Sequence, residues 1–438
     1  MRSCNVPKLL PLVLLAIAAD APAWATNGMY LAGYGAEADG RGGTGIAIAD
    51  RALGLQFNPA GIAQLQGNHF TVDLQVLMPE LHFANFQGTP IANDLDGESQ
   101  EFYMPSFAYV QGAKDSPWAW GIGLVSQGGM GATFENTNTP FGTKDETTSM
   151  VRFATLTPAV AYSFNKDVSI GLSANVGWSD VRYTFWPQTS APPGTGFNGF
   201  FGMKMSEAAS TFNYSVRLGV MWRVHPIVQL GAVYQTKTHS DYSGGTLETN
   251  QSAISLGSVS YDAKVGGFTW PEQYGIGIQI RPAEKWVLAF DVKEYNWSDA
   301  IGVVNVTGTN PSNPGTPVPV FAVPFVFDWE NQTVFALGGE YRASDDFTVR
   351  AGYNYGKSPV PDATLNPLFP ATPEQHATVG LGWNHGANTV NFALERAFEH
   401  TQTNDNTDPN VNPFGPGATV NHSQWTISIG YSRAFGRR

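Results

Sequence analysis

Gly40-Arg41-Gly42-Gly43-Thr44-Gly45 has the G-x-G-x-x-G spacing that lets a backbone close around a pyrophosphate. That chemistry needs a strand before the motif and a βαβ unit around it, and neither is written here. Its glycines read instead as a means of tight packing. Asn93-Asp94-Leu95-Asp96-Gly97-Glu98 looks like the start of a Ca²⁺ loop but lacks the regular ligand ladder and the Glu at the twelfth position, so it reads as a turn. No G-x-S-x-G elbow and no H-E-x-x-H helix occur, and the eight histidines are scattered. The chain therefore offers no catalytic residue, no metal-ligand set and no cofactor motif. It reads as something other than an enzyme.

The ends and the composition narrow the class. Arg2 and Lys8 precede the apolar run LLPLVLLAIAA, and Ala23-Trp24-Ala25 is a small-x-small cleavage site, so residues 1–25 read as a secretory signal peptide. Cleavage removes Arg2, Lys8, Asp20 and the only cysteine, Cys4, and takes the net charge from −12 to −13. An acidic exported chain without cysteine has neither a disulfide framework nor the clustered cations that nucleic acid requires. Only 14% of residues are charged, against roughly a quarter in soluble domains. Past residue 25 no apolar run is long enough for a membrane helix.

The strands explain the low charge. In FNYSVRLGVMW, Phe212, Tyr214, Val216, Leu218, Val220 and Trp222 share one face, and Asn213, Ser215, Arg217 and Gly219 share the other. VSIGLSANVGW and the last strand, WTISIGYSRAF, alternate in the same way. The period is 2, not 3.6. A polar face of Ser, Thr, Gly and Asn suits a lumen better than bulk water. Trp118, Trp120, Trp178, Trp222, Trp286 and Trp425 near strand ends read as interfacial girdles. Six short turns, near 112–117, 163–167, 223–227, 282–285, 343–346 and 385–388, alternate with seven long loops, near 84–100, 127–148, 185–208, 240–257, 299–328, 357–373 and 401–421, of which the one containing 185–205 is rich in Pro, Gly and Phe. The expected fold is all-β, a 14-stranded antiparallel transmembrane β-barrel over residues 68–438, with 258–281 taken as one strand despite Pro271. Such a barrel must close, because an open edge would leave unpaired backbone groups in hydrocarbon.

Residues 26–67 do not fit a wall. They are glycine-rich, too short for a domain of their own, and apolar enough at Leu53, Leu55, Phe57, Ile62 and Leu65 to need burial. A lumen of fourteen strands is too wide for wall side chains to fill, so this segment is expected to be an N-terminal plug. Asn58-Pro59-Ala60 would be its tight corner.

At this point the chain resembles the FadL family (OmpP1/FadL/TodX) of outer-membrane transporters for long-chain fatty acids and other hydrophobic compounds. The likeness rests on the order and spacing of GRGGTGIAIAD…FNPAGIAQL, YMPSFAYV (103–110), WAWGIGLVSQGGMGATF (118–134) and LTPAVAYSFNKDVSIG. WPEQYGIGIQIRPAEKWVLAFDVKEYNWSD and VRAGYNYGKSPVPDATLNPLFP (349–370) continue it. The resemblance implies a monomer in the outer membrane of a Gram-negative bacterium, among lipid and lipopolysaccharide. Its expected cargo is a long-chain fatty acid, or alternatively an aromatic or aliphatic hydrocarbon. The cargo would be captured at outer loops, bound inside the plugged barrel, and released sideways through a gap where the third strand kinks inward. The matching stretch is Ser126-Gln127-Gly128-Gly129, whose paired glycines permit a bulge. A lipid-modifying enzyme and a general porin are the less favoured readings. A fatty-acid carboxylate would need a cation in the lumen. Strand parity points Arg217, Lys237, Lys293 and Arg350 inward; Asp291 is expected to neutralise Lys293, which leaves Arg217 and Arg350 as the candidates.

Overall fold

A computed structural model describes residues 27–112, 116–192 and 200–436. The leader expected over 1–25 lies outside these residues, as does the 193–199 part of the Pro-, Gly- and Phe-rich loop. The strands are β1 (Gly67–Asn85), β2 (Asn93–Asp96), β3 (Phe102–Gly112), β4 (Trp118–Asn138), β5 (Lys144–Ser163), β6 (Val168–Ala191) and β7 (Phe200–Glu207). Next come β8 (Ala209–His225), β9 (Val228–Gln235), β10 (Tyr242–Asn250), β11 (Ser258–Phe268), β12 (Gln273–Ile280), β13 (Trp286–Tyr295) and β14 (Ile301–Thr309). The last are β15 (Phe321–Val326), β16 (Gln332–Arg342), β17 (Phe347–Gly356), β18 (Gln375–His385), β19 (Asn388–Asn404) and β20 (Ala418–Phe435).

All pair antiparallel in one sheet, and β1 pairs with β20 from Asn68↔Phe435 to Ala84↔Thr419, so the sheet closes on itself as a barrel. The same ladder brings the start of β1 and the end of β20 together at the end of the barrel that carries the short turns. Side chains sort as the alternation requires. On β8, Phe212 is 65% exposed and Trp222 52%, whereas Asn213, Ser215 and Arg217 are buried. A belt of this kind would be a liability in water and is what hydrocarbon demands.

The strand count differs from expectation: the sheet has 20 strands, not fourteen. Loops expected to lack structure carry ladders of their own. β10 pairs with β7 and β11, β14 pairs with β11 and β15, and β2 folds back on β1. The strand expected over 258–281 is two, because Pro271 brings no N–H to a ladder; β11 stays among the loop strands while β12 pairs with β9 and β13. The loop expected at 127–148 is mostly strand, since β4 runs on to Asn138.

Two kinds of packing fill the interior. Toward the short turns lies the N-terminal segment, with one helical turn, α1 (Ala36–Asp39), and two 3₁₀ turns over Ala52–Gln56 and Pro59–Gln64. Its backbone lies directly on the wall. A Cβ on Gly352 would sit 2.1 Å from the Gly42 nitrogen, and one on Gly171 would sit 2.3 Å from the Ala60 nitrogen. Close approach thus accounts for glycine on the inward face of these strands. Toward the long loops the interior is a continuous apolar cluster from Met29, Tyr30 and Leu31 out to Phe414 and Val420.

Candidate functional site

Gly54-Leu55-Gln56-Phe57 closes the first 3₁₀ turn and Asn58 caps the second. The Asn58 side-chain oxygen accepts from the Ala60 N–H at 3.0 Å, and Pro59 fills the first helical position, where no N–H is needed. The Asn58 amide donates to the Ile46 carbonyl (2.9 Å) and across to the Val220 carbonyl of β8 (3.0 Å). Ser169 of β6 donates to the Ala60 carbonyl at 3.0 Å. One fully buried asparagine therefore holds its own turn, a second stretch of the segment, and the wall.

Charges grip the other side of the segment. Arg41 pairs with Asp50 (2.8 Å) and with Glu340 of β16 (3.2 Å), and Arg51 pairs with Glu37 (2.8 Å). Arg350 of β17 points inward as parity requires, but it donates to Glu340 at 2.7 Å and to Asn391 at 3.0 Å. Its charge is already compensated, which corrects its candidacy as a carboxylate partner. Lys237 is a second correction. It lies past the end of β9, is exposed, and donates to the Asp299 carbonyl, because parity does not extend beyond the ladder. Lys293 is a third. Rather than neutralising each other directly, Lys293 donates to the Gly43 carbonyl (2.7 Å) while Asp291 accepts from the Gly45 and Ile46 N–H groups (2.7 and 3.0 Å).

Arg217 stands apart. It is 7% exposed, and its guanidinium meets the Gln235 and Gln273 side-chain oxygens at 2.9 and 3.2 Å, with the Phe57 carbonyl at 3.5 Å. Among the described residues no carboxylate lies within ion-pair distance of it. It lines a cavity of about 30 Å³ together with Tyr34, Phe57, Lys293 and Tyr295, room for a water or two.

The wall changes character at β4. The β3–β4 ladder runs from Gly112↔Ala119 to Ser106↔Val125 and stops there, whereas β4 stays paired with β5 as far as Asn138↔Lys144. Beyond Val125 the β4 edge facing Phe102–Pro105 has no ladder partner in β3. Gln127 sits in a register shift between Ser126 and Gly128, and Gly128 and Gly129 take φ of 152° and 159°. Residues 125–132 are buried without alternation, so the strand has turned inward here. The N-terminal segment meets it: Gly129 N–H donates to Met29 O (3.0 Å), and Leu31 N–H donates to Gln127 O (3.3 Å). The Gln127 side chain donates to Gln56 (3.1 Å) and Thr155 (2.7 Å) and accepts from Tyr34 OH (2.9 Å).

Above the inward turn stands a layer of rings. Tyr30 lies 5.3 Å from Trp270, 5.4 Å from Tyr295 and 5.6 Å from Trp297, and Phe153 stacks on Trp270 at 4.1 Å. Loop residues cover it, with Phe325 on Tyr183 and Phe369 on Phe327. Sequence reasoning singled out the exposed tryptophans of the girdle and missed Trp270, Trp297 and Trp329. Their signal was the break in alternation around Pro271 and at the ends of β13 and β15. The decoy motifs are occupied otherwise. Asp94 and Asp96 each meet His82 at 2.9 Å, and the Gly42 carbonyl accepts from Asn354.

Comparison with known proteins adds three findings. A family model described as outer membrane protein transport protein (OMPP1/FadL/TodX) matches residues 14–435. The long-chain fatty acid transport protein of Salmonella typhi is 21% identical over 72% of this chain and 74% of its own. Among solved structures, the toluene transporter TodX of Pseudomonas putida gives a TM-score of 0.76 at 20% identity, covering 93% of this chain and 100% of its own. A Pseudomonas aeruginosa FadL homologue gives 0.75 at 16% identity, covering 93% and 100%. At these identities the structural likeness speaks to the fold alone.

Proposed function

Since the chain belongs to the OmpP1/FadL/TodX family of outer-membrane transport proteins, which are channels and not enzymes, we propose that it admits long-chain fatty acids and releases them sideways through its wall. It is a β-barrel of the Gram-negative outer membrane. In this reading the membrane wall is the antiparallel ladder that runs from β1 through β3, β4, β5 and onward to β20 and back to β1. Residues 26–67 are its plug, the long-loop end faces outward among lipopolysaccharide, and the barrel works as a monomer.

The observation that carries the reading is the break between β3 and β4, set beside the ring layer and bounded by the plug. An acyl chain gains about 0.8 kcal/mol per CH₂ on leaving water. A wet axial pore offers no such gain, whereas a dry chamber opening into the bilayer keeps it throughout. The preference for a fatty acid over a hydrocarbon rests on Arg217, a buried cation with amide partners only, which suits an incoming carboxylate.

A second reading, a neutral aromatic hydrocarbon, is favoured by the cage of Tyr30, Trp270, Trp297 and Phe153 and by the shared fold with a toluene transporter. Uptake of labelled oleate and toluene into cells lacking other carriers tests both, alongside mass spectrometry of lipid extracted from the purified protein. Oleate uptake with co-purified fatty acid supports the first reading. Uptake of toluene alone replaces it with the second, and uptake of neither sinks both.

A further inference from the structure

At the short-turn end a polar cavity opens between the N-terminal segment and the wall. It is lined by Ala49 and Gln64 of the segment and by Arg223, Gln229, Gln279 and Arg281 of the wall. The turn between β8 and β9 forms its rim. Its volume is about 370 Å³, within the roughly 300–1,000 Å³ range of small-molecule sites.

The charge in this cavity is of one sign, and two cations share it. In a protein of net charge −12, Arg41, Arg51, Arg152, Arg350 and Arg396 each face a carboxylate. Arg223 reaches only the Gln64 amide oxygen, at 3.5 Å, and Arg281 makes no side-chain hydrogen bond or ion pair among the described residues. The side-chain amides of Gln229 and Gln64 do turn inward: Gln229 donates to the Ala47 carbonyl at 2.8 Å, and each reaches the Met221 sulfur at 3.6 Å. Two guanidinium groups among glutamine side chains, with no acid in the lining, are matched to a phosphate or carboxylate group, which each guanidinium can grip through two parallel N–H donors.

We propose that Arg223 and Arg281, with Gln64, Gln229 and Gln279, form an anion-binding site at the periplasmic mouth, specific for a phosphate- or carboxylate-bearing group. An anion there touches the plug and the wall together, so its occupancy ties residues 49–64 to β8, β9 and β12. The site lies at the opposite end of the interior from the β3–β4 break and does not depend on which cargo the barrel carries.

The test uses the full-length protein in detergent, titrated with inorganic phosphate and followed by calorimetry and ³¹P line broadening. Saturable binding is expected, weakened by at least about tenfold in R223Q/R281Q, which loses the charge-assisted hydrogen bonds of both guanidinium groups. R342Q, a rim arginine outside the cavity, should leave it unchanged, and heat-modifiable migration verifies that each variant is folded. Two further arms identify the source of the anion. Nanodiscs of phosphatidylcholine with a minor share of phosphatidylglycerol are analysed for lipid retained after delipidation. Retention of phosphatidylglycerol, lost in R223Q/R281Q, assigns the site to a lipid headgroup. Phosphate binding without such retention assigns it to a soluble anion. Absence of saturable binding in the parent, or equal affinity in the double variant, overturns the proposal.

Discussion

The two ends of the interior hold their contents by different physics. At the short-turn end, backbone rests on backbone across glycines such as Gly352 and Gly171, and Asn58, Asp291 and Lys293 fix it with directed hydrogen bonds. At the long-loop end, Tyr30, Phe153, Trp270 and Trp297 hold one another by ring contacts of 4.1 to 5.6 Å. Directed bonds specify one arrangement and lose much when it shifts. Ring and methyl contacts are individually small and largely indifferent to which apolar group supplies them. A guest can therefore replace rings or loop side chains at little cost, whereas the plug end resists exchange. The bulge at Gln127 sits where the two regimes meet, bonded to Gln56 and Tyr34 on one side and next to the ring layer on the other.

The largest effect should come from removing that meeting point. In G128V/G129V the branched side chains fill the inward turn and favour a straight β4 paired with β3. Fatty-acid uptake should fall to the level of cells without the protein, while the barrel keeps its heat-modifiable migration. Undiminished uptake would mean that cargo leaves elsewhere and that the inward turn is only a packing feature.

Next in size is a steric test of the plug end. G352L places a side chain where the Gly42 backbone lies, and overpacking of this kind costs about 1–3 kcal/mol. The wall ladder needs no change, so the cost should fall on the plug. Conductance of small hydrophilic ions through planar bilayers should rise with the barrel intact. If conductance stays low, the plug is held by more than its glycine seats.

The Arg217 test is smaller and separates the two cargo readings. R217Q keeps an amide partner for Gln235 but removes the charge. Binding of oleate should weaken roughly 10–100-fold, the range for losing a hydrogen bond to a charged group, and toluene binding should stay within about a factor of two. An equal loss for both ligands would make Arg217 a brace for the plug and not a headgroup partner.

These tests also mark where the sequence was legible. Alternation in β8, in residues 168–178 of β6 and in most of β20 holds because one face meets lipid, so the wall, its turns and the inward direction of Arg217 could be read directly. The bulge was legible too, from Gly128-Gly129. What could not be read was everything set by neighbours distant in the chain. Arg350 looked free until Glu340, ten residues away on the adjacent strand, was brought beside it. Lys293 and Asp291 share a face and were expected to cancel, yet each found a backbone group of the plug closer than the other. The inward tryptophans escaped notice because they sit at ladder ends, where period 2 no longer tells which way a side chain points. The loop strands were missed for a related reason: β7, β10 and β14 are ladders of only eight or nine residues, with pairing fixed by the strands beside them.

The smallest effect concerns Asp50, which tests whether the charged corner contributes to the plug's grip at all. Burial alone would raise its carboxyl, but the Arg41 guanidinium, aided by Arg51, more than reverses this and pulls it down to about 2, from 3.8 in an open chain. A depressed acid stabilises the attached plug at all pH above its open-chain value and loses that contribution as pH falls through its attached value. The grip at this corner should hence be level from neutral pH to near 4 and fade only toward 2. Because Asp50 is 28% exposed, its worth is that of a screened pair, at most about 1 kcal/mol. Pepsin works in this window, so cleavage between residues 45 and 57 can be followed from pH 4.5 to 2. D50N should be cut somewhat faster than the parent near pH 4, and the gap should narrow toward pH 2, where about half of the Asp50 carboxyls facing Arg41 are protonated. Equal rates throughout would assign the plug's hold to Asn58 and the glycine seats alone, and would widen the contrast between the two ends.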